Sequence, residues 1–356
     1  MKDPRCNLRN QVDYCLPELM FLVISAAISG MNTWNDIAMF GEQKQDWLRT
    51  YFPFKDKMPW PSTLSRLFAR LDSEEFGQYF IDWVASLSKS TQGEVVAFDG
   101  KTMRGSYDKT NNKAAIHMVS AFVSHQNICL GQLATEEKSN EITAIPKLLD
   151  LLTLEGCTVT TDAMGCQVEI SKKILQKKAN YILQVKNNQK GLLEQVEKVF
   201  EITELDDTNL QYNLDHGRVE QRECAVICNL THLDGYQNWP GIQTIIRIQS
   251  QRIQKRTGEK ENSTRYYISS KTGSATNFNQ DIRAHWGIEN KLHWSLDVSF
   301  KEDNSRKRKG HSAANFALFS KIALNLLNNC PTKMSKNRKR LKALLDDNFR
   351  EKLLAI

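Results

Sequence analysis

Two short β-rich runs that each end on an acid, with two more strands and a helix between them, constrain this chain more than any other feature. Glu94-Val-Val-Ala-Phe-Asp99 and Cys157-Thr-Val-Thr-Thr-Asp162 are apolar or β-branched up to their carboxylates. Between them, Ala114 to His125 and Asn127 to Thr135 read as two strands joined by a tight polar turn. Glu141 to Leu152 then carries Ile142, Ile145, Leu148, Leu149 and Leu152 at helical spacing, with Asn140 as its N-cap. The order is a three-stranded meander, a crossover helix and a fourth strand. If the first and fourth strands are neighbours, Asp99 and Asp162 lie side by side at one edge of the sheet.

The flanking sequence divides by its hydrophobic period. Residues 1–90 read as a small helical N-terminal domain: Leu16 to Ile28 is an apolar helix, and Trp34 to Phe40 and Trp47 to Phe52 are amphipathic pieces. In Ser62 to Leu71, the residues Leu64, Leu67, Phe68 and Leu71 share a face, leaving Ser62, Thr63, Arg66 and Arg70 outside. Such a helix suits a DNA groove and equally an ordinary surface. Residues 91–190 hold the first part of the core, ending in a basic helix near Gln167 to Lys178 and a fifth strand, Tyr181 to Val185. Residues 191–275 form a β-rich insertion with strands near Val219 to Asn229, Thr244 to Gln251 and Arg265 to Ser270. Helix resumes over 276–330, and 331–356 is a basic tail.

Composition removes other classes. A chain of 356 residues, 25% charged and 40% hydrophobic, can bury a large core and is neither low-complexity nor collagenous. The apolar run Leu19 to Ser29 is about half the length a membrane span needs, so no membrane is expected. Eight scattered cysteines without a Cys-x-x-Cys pair predict reduced thiols and a cytoplasmic protein. Lys301 to Ile356 has 14 Lys/Arg against 5 Asp/Glu, a net +9, whereas the first 300 residues carry −2. The Arg306-Lys307-Arg308-Lys309 run is dense enough to attract a polyanion, and equally reads as a solvated face.

The strand–helix order is that of a ribonuclease H-like domain: an α/β, mixed sheet with a β-rich insertion. A returning helix can add a third acid, for which Glu289 is the candidate. Converging carboxylates repel unless divalent cations neutralise them, and all-oxygen ligands suit magnesium or manganese, here two ions. Two such ions about 4 Å apart activate a water or 3′-hydroxyl and stabilise the oxygen that leaves a phosphodiester. Taken singly, Asp99-Gly100 also reads as a turn and Asp162 as a helix N-cap. His285, Glu289 and His293 recur every four residues, so a zinc site there is the alternative. Lys101 and Arg104 read as phosphate clamps or as solvated cations, Arg218 and Arg222 as DNA contacts from the insertion, and Trp286 and Trp294 as packing on the sheet.

Val96-Ala-Phe-Asp-Gly-Lys-Thr-Met-Arg104, Thr160-Thr-Asp-Ala-Met-Gly-Cys-Gln167, Asp215-His-Gly-Arg-Val-Glu-Gln-Arg222 and His285-Trp-Gly-Ile-Glu-Asn-Lys-Leu-His-Trp-Ser-Leu-Asp297 resemble segments of bacterial insertion-sequence transposases of the DDE superfamily. The H-repeat-associated type is the nearest group. Pro61 to Leu71 is similar to that family's N-terminal associated region, so the resemblance covers almost the whole chain. It implies a catalytic, metal-binding triad of Asp99, Asp162 and Glu289. It also implies an enzyme that hydrolyses phosphodiesters at element ends and transfers strands. Double-stranded DNA, as terminal inverted repeats and target, is then the partner, and a homodimer forms on it. A remnant that only binds DNA, or a nuclease without strand transfer, are the alternatives. Where many relatives in the superfamily carry Tyr, Arg and Lys around the Glu, this chain has Ile282, His285 and Leu296. Arg283, His285 and Lys291 are therefore the candidates for terminal-phosphate contacts.

Overall fold

The computed structural model describes residues 1–5, 13–55, 57–87, 91–108, 114–135, 141–215 and 217–355. The expected N-cap Asn140, His216 of the Asp215 segment and the boundary near residue 90 lie outside these. Five helices open the described chain: α1 Leu16–Ile28, α2 Trp34–Gln43, α3 Gln45–Arg49, α4 Pro61–Arg70 and α5 Ser73–Leu87. Helix α4 starts on Pro61, whose missing N–H costs nothing at a helix head, and buries Leu64, Leu67 and Phe68 while Ser62, Arg66 and Arg70 stay exposed.

The sheet follows: β1 Val95–Thr102, β2 His117–Val123 and β3 Ile128–Ala134, then helix α6 Glu141–Leu151, strand β4 Thr158–Thr161, helix α7 Val168–Gln176 and strand β5 Asn180–Val185. Helix α8 Lys190–Ile202 leads into β6 Asp207–Asp215, β7 Arg218–Ile227, β8 Thr244–Gln254 and β9 Lys260–Ser269. The order across the sheet is β3-β2-β1-β4-β5-β9-β8-β7-β6. Strands β1 and β4 are parallel neighbours, with Phe98 opposite Thr161, so Asp99 and Asp162 each lie one residue beyond that pair. This is the mixed ribonuclease H-like sheet that the strand order called for. The insertion extends it, because β9 pairs antiparallel with β5 from Ile182 against Ser269 to Val185 against Tyr266.

Two elements of the insertion escape a hydrophobic scan. Strand β6 reads as polar because its apolar residues Leu210, Tyr212 and Leu214 all face solvent on the edge of the sheet. Helix α8 buries Val196, Val199 and Phe200 over the adjacent sheet, Phe200 packing on Tyr266 with ring centroids 5.8 Å apart.

After β9 come α9 Ala275–His285, a π-helical turn Ile288–His293, α10 Trp294–Phe300 and α11 Ser312–Asn329. Helix α11 is buried on nearly every side, and the N-terminal helices close over it through Trp34 and Phe316, Phe68 and Phe319, and Phe76 and Phe319. Helices α12 Lys336–Leu345 and α13 Asp347–Leu354 complete the fold, which corrects the expectation of a basic tail over 331–356. Lys339 donates to the carbonyls of Leu327 and Cys330 at 2.7 and 2.8 Å. Arg340 donates to Ala27 O and Asn32 Oδ1 at 2.9 and 2.8 Å. Arg350, fully buried, donates to Ala343 O at 2.8 Å and lies 3.8 Å from the Trp47 ring centroid. Desolvated stacking of this kind is worth about 2 kcal/mol. These cations bind the C-terminus to the body.

Candidate active site

Asp99, at β1, Asp162, after β4, and Glu141, the first residue of α6, offer carboxylate oxygens that all lie within 4.8 Å of one another. Glu141 is absent from the sequence-derived triad. Strand β3 runs parallel to β1, being two antiparallel steps away, so the helix after β3 starts at the edge where β1 and β4 end. Gly100 makes room: a Cβ there would overlap Glu141 Oε1 and His117 Nε2. His117 Nε2 lies 2.8 Å from Glu141 Oε1 and fixes its carboxylate. Asp162 also accepts backbone N–H bonds from Met164 and Gly165 at 2.9 and 3.3 Å, so it does turn its local chain while standing in the cluster.

Burial and the charges of Glu141, Asp162 and, more weakly, Glu289 push Asp99 up to about 7, against the Gly100 N–H that donates to it. Burial and Glu141 likewise raise Asp162, with Lys186 opposing. His293 Nδ1 is 3.5 Å from Asp99 Oδ2, but burial and the neighbouring Lys321 and Lys101 push it down to about 3. It is neutral at ordinary pH and offsets no charge. Carboxylates this close repel by on the order of 3 kcal/mol per pair at an effective dielectric near 20. Only protons or a hard cation can relieve that, and an all-carboxylate donor set fits magnesium or manganese.

Glu289 arrives from the opposite edge. Strand β9 is antiparallel to β5, so α9 begins below the acids and runs back toward them. The 14 steps from Ala275 to Glu289 rise about 21 Å as helix, enough to cross a six-residue strand of about 20 Å. Ser124, just past β2, donates to Ala284 O and accepts from Lys291 Nζ at 2.9 Å. A Cβ on Gly287 would overlap the Ser124 hydroxyl. Glu289 thus sits exposed on the π-helical turn, in electrostatic reach of Asp99 but outside the trio. Such turns recur at functional sites. Among the described residues, no metal-capable group joins His285, Glu289 and His293.

The expected cations divide into free and engaged. Lys101, two residues past Asp99, is caged by Asp297, Glu302 and Asp303 at 2.5, 3.0 and 3.2 Å and ties β1 to α10. Lys291 is spent on Ser124. His285 Nδ1 lies 2.9 Å from Thr160 Oγ1 and burial pushes it down to about 4. Arg104, Arg218 and Arg283 are exposed. Arg222 is 4% exposed, with Nε and Nη1 unpartnered among the described residues and Arg265 and Arg283 in its field. Arg306 and Lys309 are exposed, Arg308 stacks on Tyr107 at 4.6 Å, and Lys307 is 7% exposed against the Phe316 ring. Lys307 is a buried structural cation, which removes it from the DNA contacts expected of the run.

A cavity of about 740 Å³ opens from Asp162 along Lys186 to Asn188 and ends at Arg265 and Tyr266. Arg265, absent from the expected contacts, stands 5.0 Å over the Trp286 ring. Trp294, expected to pack on the sheet, is 58% exposed because the π-helical turn shifts the phase of the helix after Glu289.

Comparison with known proteins matches residues 90–326 to the transposase DDE domain and residues 1–84 to the region associated with it. The chain is 41% identical over 360 residues to YncI of Escherichia coli O157:H7, named as a transposase, covering 99% of this chain and 92% of that protein. It is 38% identical over 354 residues to YhhI of Escherichia coli K12, named as an H repeat-associated transposase, covering 97% and 93%. A piggyBac transposase chain, solved by cryo-EM in a synaptic complex with hairpin DNA, aligns with a TM-score of 0.43 at 11% identity over 95% of this chain and 72% of that one.

Proposed function

The chain belongs to the transposase DDE-domain family, and from that premise we propose that it nicks DNA at insertion-sequence ends and joins the freed 3′-hydroxyls to target DNA. The observation that carries this reading is the cluster of Asp99, Glu141 and Asp162, three partly buried acids whose carboxylate oxygens lie within 4.8 Å of one another. Asp99, Asp162 and Glu141 would hold a divalent cation, Mg²⁺ or Mn²⁺, and Glu289, in electrostatic reach of Asp99, would serve a second one. Bound there, the cation lowers the pKa of a water or 3′-hydroxyl and stabilises the departing 3′-oxygen.

The remaining work belongs to the chain. In the first step a water oxygen forms a bond to phosphorus and the bond to the 3′-oxygen breaks, leaving a 3′-hydroxyl. In the second that hydroxyl attacks a target phosphodiester, so bonds are exchanged without a protein intermediate. The cleft from Asp162 to Arg265 takes the strand, with Lys186 and Arg265 beside its phosphates. Arg104, Arg218 and Arg283 extend the contact surface, whereas Arg222 is buried against Glu220 and drops out of it, and the Lys101 cage holds the Glu289 helix against β1. The substrate is double-stranded DNA bound by a homodimer, in the cytoplasm.

Labelled DNA carrying the inverted repeats that flank the gene tests this. Incubation with Mg²⁺ should give nicked and joined products, and EDTA should give neither. Cuts without joining would make the protein a nuclease, and binding without cuts a remnant.

A further inference from the structure

The segment from Lys301 to His311 bridges two parts of the molecule. At one end Glu302 and Asp303 hold Lys101, and Arg308 Nε donates to Gly105 O at 3.2 Å. At the other, the His311 N–H donates to Ala69 O at 3.1 Å and Lys307 Nζ to Asn32 O at 2.5 Å. Between them lies a cavity of about 580 Å³ whose walls include Arg306, Lys307, Arg308, Lys309 and Ser312, with Asp108 as the one acid among the described residues.

The cavity opens onto the head of α11, an 18-residue helix with no side-chain cap and no acid in its first turn. The Ser312 N–H donates to Lys309 O, and the helix head as a whole carries partial positive charge. Ser312, 1% exposed, lines the same space, and its hydroxyl has no partner among the described residues. Lys307 adds a cation that burial pushes down to about 7, with Asp36 as its counter-charge. A helix head, an orphaned donor and a wall of cations lack one thing, an anion.

We propose that this cavity holds a phosphate group of the DNA backbone, gripped by the α11 head, the Ser312 hydroxyl, Arg306 and Lys309. The proposal rests on the transposase reading and adds where the strand is anchored: at the seam between the N-terminal helices and the sheet. Lys307 does not grip. It shapes the cavity from below, its Nζ on Asn32 O and 3.5 Å from the Phe316 ring centroid.

The test uses the full-length protein, duplex DNA carrying the flanking repeat, and EDTA, so that only binding is read. Ser312→Ala should weaken binding about tenfold, as loss of a hydrogen bond to a charged group does. A variant carrying both Arg306→Gln and Lys309→Gln should flatten the salt slope by about 1, the change for one phosphate. Ethylation interference should lose the same single phosphate in both variants, with melting curves unchanged. Unaltered slopes and interference patterns in folded variants would overturn the proposal. A second arm titrates inorganic phosphate and ADP. If either binds stoichiometrically, is lost in Ser312→Ala and leaves DNA binding untouched, the occupant is a free phosphate compound and the DNA assignment fails. If the wild type shows no repeat-dependent binding, the transposase reading falls with it, whereas normal wild-type binding with unaffected variants removes only the cavity.

Discussion

The acidic edge of the sheet and the basic C-terminal region are both concentrations of like charge, yet the fold treats them in opposite ways. Lys339, Arg340 and Arg350 are buried and consumed by carbonyls, amides and aromatic rings of the body. Asp99, Glu141 and Asp162 are crowded together, with N–H donors, His117 and His293 beside them and no cation paired to them among the described residues. Offset charge holds a fold together; charge left without a counter-charge is available to a ligand. A charge run in a sequence does not reveal which of the two it will become.

Substitutions can break that contrast. Asp99→Asn or Asp162→Asn should lower cleavage by at least about 10³-fold, the scale of losing one member of a catalytic set, while DNA affinity by anisotropy stays within about twofold. Normal cutting by either variant would end the assignment. Arg350→Ala should do the reverse, costing about 3 kcal/mol in urea unfolding by leaving the Ala343 carbonyl without its donor and a void against the Trp47 ring, with DNA affinity per folded molecule unchanged. Glu141→Gln should weaken Mn²⁺ binding in calorimetry about 10- to 100-fold, and Gly100→Ala should match it by displacing the same carboxylate. Full metal affinity in both would remove Glu141 from the site.

A pH scan separates the regions further. Asp99 is held near 7, above the ordinary carboxylate value of 3.8, so the metal-free fold binds its proton more tightly than the unfolded chain does. Its contribution is fully present below about 4 and is lost as pH rises through 7. The wild type should therefore melt lower at pH 8 than at pH 5 by a margin that Asp99→Asn removes, and Mn²⁺ at pH 8 should restore it. An Asn variant with an unchanged margin would refute the desolvated centre. The smallest effect is expected of Trp294→Ala, within about 0.5 kcal/mol, since that ring is mostly solvated. A large loss would mean that it packs after all.

Much of the core could be read from the strand order alone. The run of strands ending in Asp99 and Asp162 set both acids at one edge, because parallel neighbours end together. The same logic applied one step further would have found Glu141, since β3 runs the way β1 does and its helix must begin beside the acids. Residue type alone does not reveal this, because a glutamate at a helix start is ordinarily a partner for the helix dipole. Strand β6 was missed for the opposite reason: its apolar residues face water, so no buried stripe marks it.

Alternation, helical spacing and the two strand-end acids, all local and periodic properties, determined the ribonuclease H-like sheet, its crossover helix and the edge where chemistry gathers. Tertiary structure alone decided which charges remain free. Lys101, Lys291 and Lys307 look in sequence like Arg283 and Lys309, but carboxylates, backbone carbonyls and the Trp34 ring, distant along the chain, claim them. Compensation depends on groups hundreds of residues apart meeting within about 3 Å, and no local pattern encodes that meeting.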